Sequence, residues 1–504
     1  MRATLEQLIN RSRQFHTNTL PNKISNFLDN FGEEVTAEIL ENANNTYPML
    51  HEDVVILIKD FLSYKMQYGS PQEKLIYEAL GINNAIIAYG ENISEQVTKN
   101  FITRLLTKRP LVFMDATDTV VNRPDATEVL VSPNADRSQP TEDYISYDEM
   151  QIAAFIGISS PSFFINDGNR QNRGIPGEPG SFINKGIIVG QVGARFEREG
   201  VMEFQHMLIT PEQNTVENGY GSNGVNKEKF SHWAKFYGLP EGFNFPAYEE
   251  VLKISQEDNK KYIKITAKQD WYLNAEIYKV RMKKIIETFL IEANSRAFDR
   301  QTTAYVHAIG LGIGVWAIDA EQQTNLLLEV YAEVLQEHFF QHINTIDFSW
   351  FLAAKNFGNN IKIENSTDYC FKYNNINIIF SRNNPQSVSE EKNDKLLVVQ
   401  YAWDSGAFSG NEYWAERFTA SSDPAAASSS QIADLQNPLI NPYNVCGETL
   451  KIATKDSDYS DHFDYSTDET DEDILDCLTR TYSEAPESES AVNQKIPKPR
   501  PQLF

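Results

Sequence analysis

The sequence predicts an α/β layered domain with a largely buried sheet, and two observations carry that expectation. Short runs of β-formers at residues 186–190, 305–309, 346–350, 376–380 and 396–401 have the length and composition of buried strands. Longer stretches with helical periodicity, residues 281–296 and 322–339, alternate with them. Strands alternating with helices in this way bury a sheet between helical layers.

The elements before this core read differently. Residues 1–108 read as helical: Leu28, Phe31, Val35 and Ile39, then Val54, Ile56, Ile58, Phe61 and Leu62, fall largely at helical spacings. Pro110 stops that pattern and opens a strand-like run to Asp115, after which Asp115 and Asp118 suit turn and cap positions. Residues 122–143, rich in Pro, Asn, Asp, Ser and Thr, read as a loop. Ser146 and Glu149 form a capping box that opens a helix predicted to reach residue 158. Residues 211–260 read as an inserted, irregular surface segment. Between Asp456 and Glu489 acids far outnumber bases, the pattern of a solvated, disordered tail. The expected organisation is a helical region at 1–108, a catalytic domain at 109–454 and a disordered acidic tail at 455–504.

The net charge of −25 argues against a nucleic-acid groove or an anionic membrane surface as partner. No stretch reaches the roughly 18 apolar residues of a membrane span, and the N-terminus lacks the apolar core of a secretory signal. Cys370, Cys446 and Cys477 are odd in number and form no C-x-x-C pair, so a reducing, cytoplasmic compartment is expected and a catalytic cysteine is not.

The densest chemistry follows the run ending at Tyr401. The loop Ala402-Trp-Asp-Ser-Gly-Ala-Phe-Ser-Gly-Asn-Glu412 holds Gly406 and Gly410 between Asp404 and Glu412. Glycines let peptide N–H groups approach a ligand, and successive N–H groups in such a turn form a nest for phosphate oxygens. A strand-to-helix turn with carboxylates facing water is the alternative. A second glycine loop, Gly190-Gln-Val-Gly193-Ala-Arg195, leads to Glu203, which suits either a ligand contact or a helix N-terminus. Gly310, Gly312 and Gly314 follow a strand but do not open into a helix as a dinucleotide fingerprint requires; a bend lining a cleft or close packing is expected instead. His338 and His342 share one face of the predicted helix at i, i+4, but no third ligand accompanies them, so no metal is assigned.

The two loops resemble macrodomains of the poly(ADP-ribose) glycohydrolase type. Val201-Met-Glu-Phe-Gln-His206 followed by Met207-Leu-Ile-Thr-Pro-Glu212 is similar to that family's first loop and following strand, and residues 402–411 to its second loop. Phe204 stands at the family's second catalytic glutamate, a departure that counts against its usual route of poly(ADP-ribose) cleavage. A wider likeness runs through Met114-Asp-Ala-Thr-Asp118, Tyr147-Asp-Glu-Met-Gln151, the bend from Tyr305 to Trp316 and Ser422-Asp-Pro-Ala-Ala-Ala427. It resembles MavL-like hydrolases of the Legionella effector type, which remove ADP-ribose from arginine, including arginine on ubiquitin.

The resemblance implies a macrodomain-like three-layer α/β/α fold with a mixed sheet, and an ADP-ribosylarginine hydrolase that uses no cofactor. It places Asp404, Glu412 and Asp423 in the active site. Trp403, Ser405, Gly406, Ala407, Phe408, Gly410, Glu203 and Gly193 are the expected ligand-binding residues. The expected partners are ADP-ribose and an ADP-ribosylated protein. The acidic tail would suit the secretion signal of an effector delivered to a host cytosol. Two alternatives stand beside this reading: a module that binds ADP-ribose without cleaving it, and an effector scaffold.

Overall fold

The computed structural model describes residues 4–14, 20–82, 93–110, 144–196, 199–257, 260–358, 361–410, 422–456 and 459–460. Among the residues singled out above, Asp115, Asp118, Glu412 and Cys477 lie outside this set. The described residues all belong to one unit, Arg2–His462.

Ten strands build the main sheet: β1 (Tyr47–His51), β2 (Gly157–Phe163), β3 (Lys185–Gln191), β4 (Ala304–Ala308), β5 (Ile343–Ser349), β6 (Tyr369–Tyr373), β7 (Ile376–Ser381), β8 (Leu396–Ala402), β9 (Lys451–Ala453) and β10 (Tyr459–Ser460). Their spatial order is β6-β7-β5-β4-β8-β3-β2-β1-β9-β10. From β7 to β3 all neighbours run parallel; β2 is antiparallel to both β3 and β1, so the sheet is mixed. β8 lies at the centre. Its run Leu-Leu-Val-Val is buried on both faces, as a central parallel strand must be.

Strand β2 shows that both faces are covered, because its successive side chains point opposite ways. Ser159 donates to Glu292 on the helix Ala275–Asp299. Its neighbour Ser160 instead accepts from Gln436 at 2.9 Å, and Ser162 accepts from the peptide N–H of Gln431 at 3.1 Å. The 25-residue helix Ala275–Asp299 therefore lies on one face, and the segment containing Ser422–Ser429 and Ile432–Leu435 on the other.

Four sequence expectations are modified. The stretch 1–108 is not helical throughout, since Tyr47–His51 form β1, parallel to β9; Pro48 and the five-residue length leave no helical period to see. The helix opened by Ser146 has its capping box but stops at Ala153, and Gly157 begins β2, caught between β1 and β3. The helix Ala320–Glu337 ends before His338, whose extended backbone breaks the expected two-histidine face. The segment expected to be an irregular surface insertion contains the helices Ser231–Phe236 and Tyr248–Glu257 and is deeply packed: Phe230, Trp233, Tyr237 and Phe245 surround the buried His206 ring. Its aromatic residues lack a regular period, so pattern reading alone takes them for loop.

A candidate active site at the carboxyl ends of three parallel strands

Strands β4, β8 and β3 stand side by side and parallel, so the loops that follow them leave the same edge of the sheet. In open α/β sheets this is where ligands bind. A buried ladder of amides fixes the strand ends. Gln400 accepts from the Ile309 N–H at 3.1 Å and donates to Gln191 at 2.9 Å. Gln191 in turn donates to the Ile285 carbonyl at 3.0 Å, tying the edge to the helix Ala275–Asp299. Each amide uses both its donor and its acceptor or bridges to backbone, which a buried site requires.

The loop after β8 is held from within. The peptide N–H of Trp403 donates to the Gln191 carbonyl at 2.9 Å, extending the β8–β3 pairing by one residue. The Trp403 indole is buried and donates through Nε1 to the Ala407 carbonyl at 3.1 Å. Asp404 Oδ1 accepts from the Ala407 N–H at 2.8 Å, closing a tight turn. Ser405 sits in that turn with φ 56°, a left-handed conformation uncommon for a residue with a side chain. Gly410, also left-handed at φ 70°, gives its N–H to Asp423 Oδ1 at 3.0 Å. One aspartate thus latches each end of the loop. Asp423 lies in the first turn of Ser422–Ser429 and is buried. The hydroxyls of Ser405 and Ser409 are buried and have no hydrogen-bond partner among the described residues.

The glycines of the other two loops serve close backbone packing. A Cβ on Gly193 would run into the nitrogen of Gly312, and one on Gly312, itself at φ 72°, would come within 2.8 Å of the Ala194 carbonyl. The loop after β3 therefore lies directly on the bend after β4. Arg195, two residues further on, is buried; its guanidinium donates to the Asp404 carbonyl at 2.9 Å and lies 4.4 Å from the Trp316 ring centre. One side chain joins all three loops. Arg109 donates to the carbonyls of Ser405 (2.9 Å) and Ala407 (3.4 Å) and stacks 4.1 Å from the Phe408 ring centre. Arg109 is itself placed by the preceding helix Glu95–Thr107, where Arg104 binds Glu149 at 2.8 Å and the Tyr144 carbonyl at 2.8 Å.

Trp403, Asp404, Ser405, Gly406, Ala407, Phe408, Gly410 and Asp423 are thus drawn into one assembly with Gly193, while Glu412 lies outside the described residues. Glu203 is placed apart from the loop surface. It is fully enclosed and meets Arg281, equally enclosed, at 3.3 Å. Burial raises its carboxyl pKa against the pull of Arg281. Arg281 also donates to the carbonyls of Val192 (2.7 Å) and Gly193 (2.9 Å), so the pair supports the loop after β3 from below. Sequence reading missed Arg109, Arg195 and Arg281 because an isolated arginine carries no spacing signal; each was legible only as one of a few cations able to face an anion.

Potential metal ligands come together elsewhere, at Glu287, Glu337 and His338. That group is an ion-pair network. Glu287 meets His51 at 3.0 Å, His338 at 3.2 Å and Lys284 at 3.4 Å. Burial alone would raise its carboxyl, but hydrogen bonds from His338 and His51 and the charge of Lys284 hold it well below the usual range. His51 Nδ1 accepts from the Asp53 N–H at 3.1 Å, so Nε2, 3.0 Å from Glu287, carries the ring proton and has no lone pair for a metal. Among the described residues no helix is long and apolar enough to cross a membrane.

The family model described as ADP-ribosylhydrolase MavL-like matches residues 6–467. The chain belongs to the MavL-like ADP-ribosylhydrolase family. Two relatives from Drosophila melanogaster agree with it. ADP-ribosylarginine hydrolase CG3568 is 31% identical over 445 residues, covering 84% of this chain and 80% of its own length. ADP-ribosylarginine hydrolase CG2909 is 29% identical over 438 residues, with 83% and 81% covered. For a MavL-like hydrolase the match is long enough to include the sheet, all three loops and the helices on both faces.

Proposed function

We propose that this MavL-like hydrolase removes ADP-ribose from arginine side chains of modified proteins, with the diphosphate on the 403–410 loop and the distal ribose beside the acidic residues. The observation that carries the reading is the loop latched by Asp404 and Asp423 at the carboxyl ends of β3, β4 and β8. Hydroxyls of Ser405 and Ser409, buried without partners among the described residues, support a polar ligand there. The arginine linkage follows the names of the two fly relatives. The paired glycine loops on adjacent parallel strands support a macrodomain relationship, which we adopt as part of the proposal.

The reaction adds water across one bond. The N-glycosidic bond between ribose C1 and the guanidino nitrogen breaks, positive charge develops at the ribose as in other glycoside hydrolyses, and water oxygen joins C1. The electron pair leaves with nitrogen, which takes a proton to give free arginine guanidinium; ADP-ribose is the other product. In this scheme Asp404 and Glu412 grip the guanidinium and activate the water, since carboxylates pair strongly with guanidinium and can accept the water proton. Asp423 is the third acidic contact.

Linkage-defined substrates test the proposal. Proteins carrying ADP-ribose on arginine, on serine or on glutamate are incubated with the full chain, and free ADP-ribose is quantified. Release from arginine alone is expected; release only from the ester or serine linkage, or from none, would refute it. Arginine-modified ubiquitin belongs in the panel as the target implied by resemblance to the effector enzymes. A cytosolic location is part of the same proposal and is checked by cell fractionation.

A further inference from the structure

We propose that Asn22, in the N-terminal segment, is a positioning residue for Asp423, the acid that latches the far end of the 403–410 loop. The inference rests on the site reading above and extends it to a part of the chain expected to stand apart from the catalytic domain. Asp423 sits in the first turn of the helix Ser422–Ser429, where the peptide N–H of Gly410 donates to its Oδ1 at 3.0 Å. Eight residues make a helix only about 12 Å long. So short a rod moves as one piece, and whatever fixes its last turn also fixes where Asp423 stands.

The last carbonyls of a helix have no partner within it, so groups from elsewhere must take them. Asn22 is buried and donates there twice through its amide nitrogen. One bond goes to the Ala427 carbonyl at 2.5 Å, the other at 2.7 Å to that of Ser430, just past the helix. The peptide N–H of Ile165 takes the Ser429 carbonyl at 2.9 Å. The same N-terminal segment grips the next helix, Ile432–Leu435, through buried Asp434. The Ser12 hydroxyl donates to one of its oxygens at 2.7 Å and the Ile24 N–H to the other at 2.9 Å. Gly410 rests on these two helices: a Cβ placed on it would come within 3.4 Å of Ala427, Ala433 and Ile432. The N-terminal segment therefore holds both walls against which the end of the loop is seated, and Asn22 bonds directly to the helix that carries the acid.

A double-mutant cycle in ADP-ribose affinity, read by calorimetry on the full chain, tests the link between the two residues. Asn22→Ala should weaken binding about tenfold in the wild-type background, the scale of one buried hydrogen bond. In the Asp423→Ala background the latch is already gone, and the same substitution should change affinity by less than about twofold. A role in stability alone would not produce that difference. Asn22→Ser keeps one donor and reads the same coupling if the alanine variant does not fold. Equal losses in both backgrounds would overturn the inference, since Asn22 would then act without Asp423. Folded Asn22 variants that bind as tightly as the wild type would overturn it too, while leaving the site reading intact. A wild-type protein that binds no ADP-ribose would sink the site reading and the inference with it.

Discussion

Asp423, on the helix that follows the loop, accepts the peptide N–H of Gly410 at 3.0 Å. Gly410 is packed so closely that an added Cβ would come within 3.0 Å of Ala427 and 3.3 Å of Ala433. The carboxylate therefore acts on the loop's shape, and in the proposal it also acts through its charge. Two substitutions separate these roles. Asp423→Asn keeps an oxygen for Gly410 and should bind ADP-ribose nearly as the wild type does while turning over slowly. Asp423→Ala loses the latch as well and should weaken binding by about 1–3 kcal/mol. Titration calorimetry beside single-turnover rates checks both.

Gly193 should tolerate no side chain. Its missing Cβ is the space occupied by the backbone at Gly312. Gly193→Ala must push the loop after β3 away from the bend after β4, and we expect a loss of about 1–3 kcal/mol in unfolding free energy. Arg195 moves with that loop, so ADP-ribose affinity should fall in the same variant. Denaturant melts and calorimetry on one preparation measure both effects.

Glu203 and Arg281 form a fully buried ion pair. Glu203→Ala leaves the guanidinium charged and enclosed, with an expected loss of about 3–5 kcal/mol. The double variant Glu203→Leu with Arg281→Met removes both charges and should recover much of the Glu203→Ala loss. Urea midpoints for the single and double variants test the coupling.

Three buried histidines predict acid sensitivity. Burial lowers His232 and His307 from 6.5 to about 4 and holds His206 well below 6.5. An unfolded chain binds protons at these residues below about 6.5, whereas in the folded chain His232 and His307 resist until about 4. Between those values the unfolded state holds more protons, so stability falls as pH falls. His232→Phe should therefore narrow its stability gap to the wild type as pH drops from 6.5 to 4, by roughly 3 kcal/mol at most. Urea melts across that range decide it; a gap independent of pH would contradict the neutral assignment.

Much of the candidate site was legible in sequence because its two signals are local. Leu396 to Tyr401 is a continuous buried run that admits few readings besides a central strand, and Gly406 and Gly410 mark the turn that follows it. Local too was the Ser146–Glu149 capping box. What escaped depends on contacts distant in the chain. Strand β1 is fixed by pairing with β9, some four hundred positions away, and its own five residues carry no period. Glu203 stands where a ligand residue was expected, but only the fold reveals that Arg281 encloses it. Arg109 lies almost three hundred positions from Ser405, so nothing near it in sequence announces a role in the loop.

Single-turnover hydrolysis by Asp404→Asn tests the central claim most directly. The asparagine oxygen can still accept the Ala407 N–H now held at 2.8 Å, so the loop keeps its shape while the charge is lost. The account predicts a variant that binds ADP-ribose at close to wild-type affinity and releases it from modified arginine at least about a hundredfold more slowly. Release at the wild-type rate would contradict it.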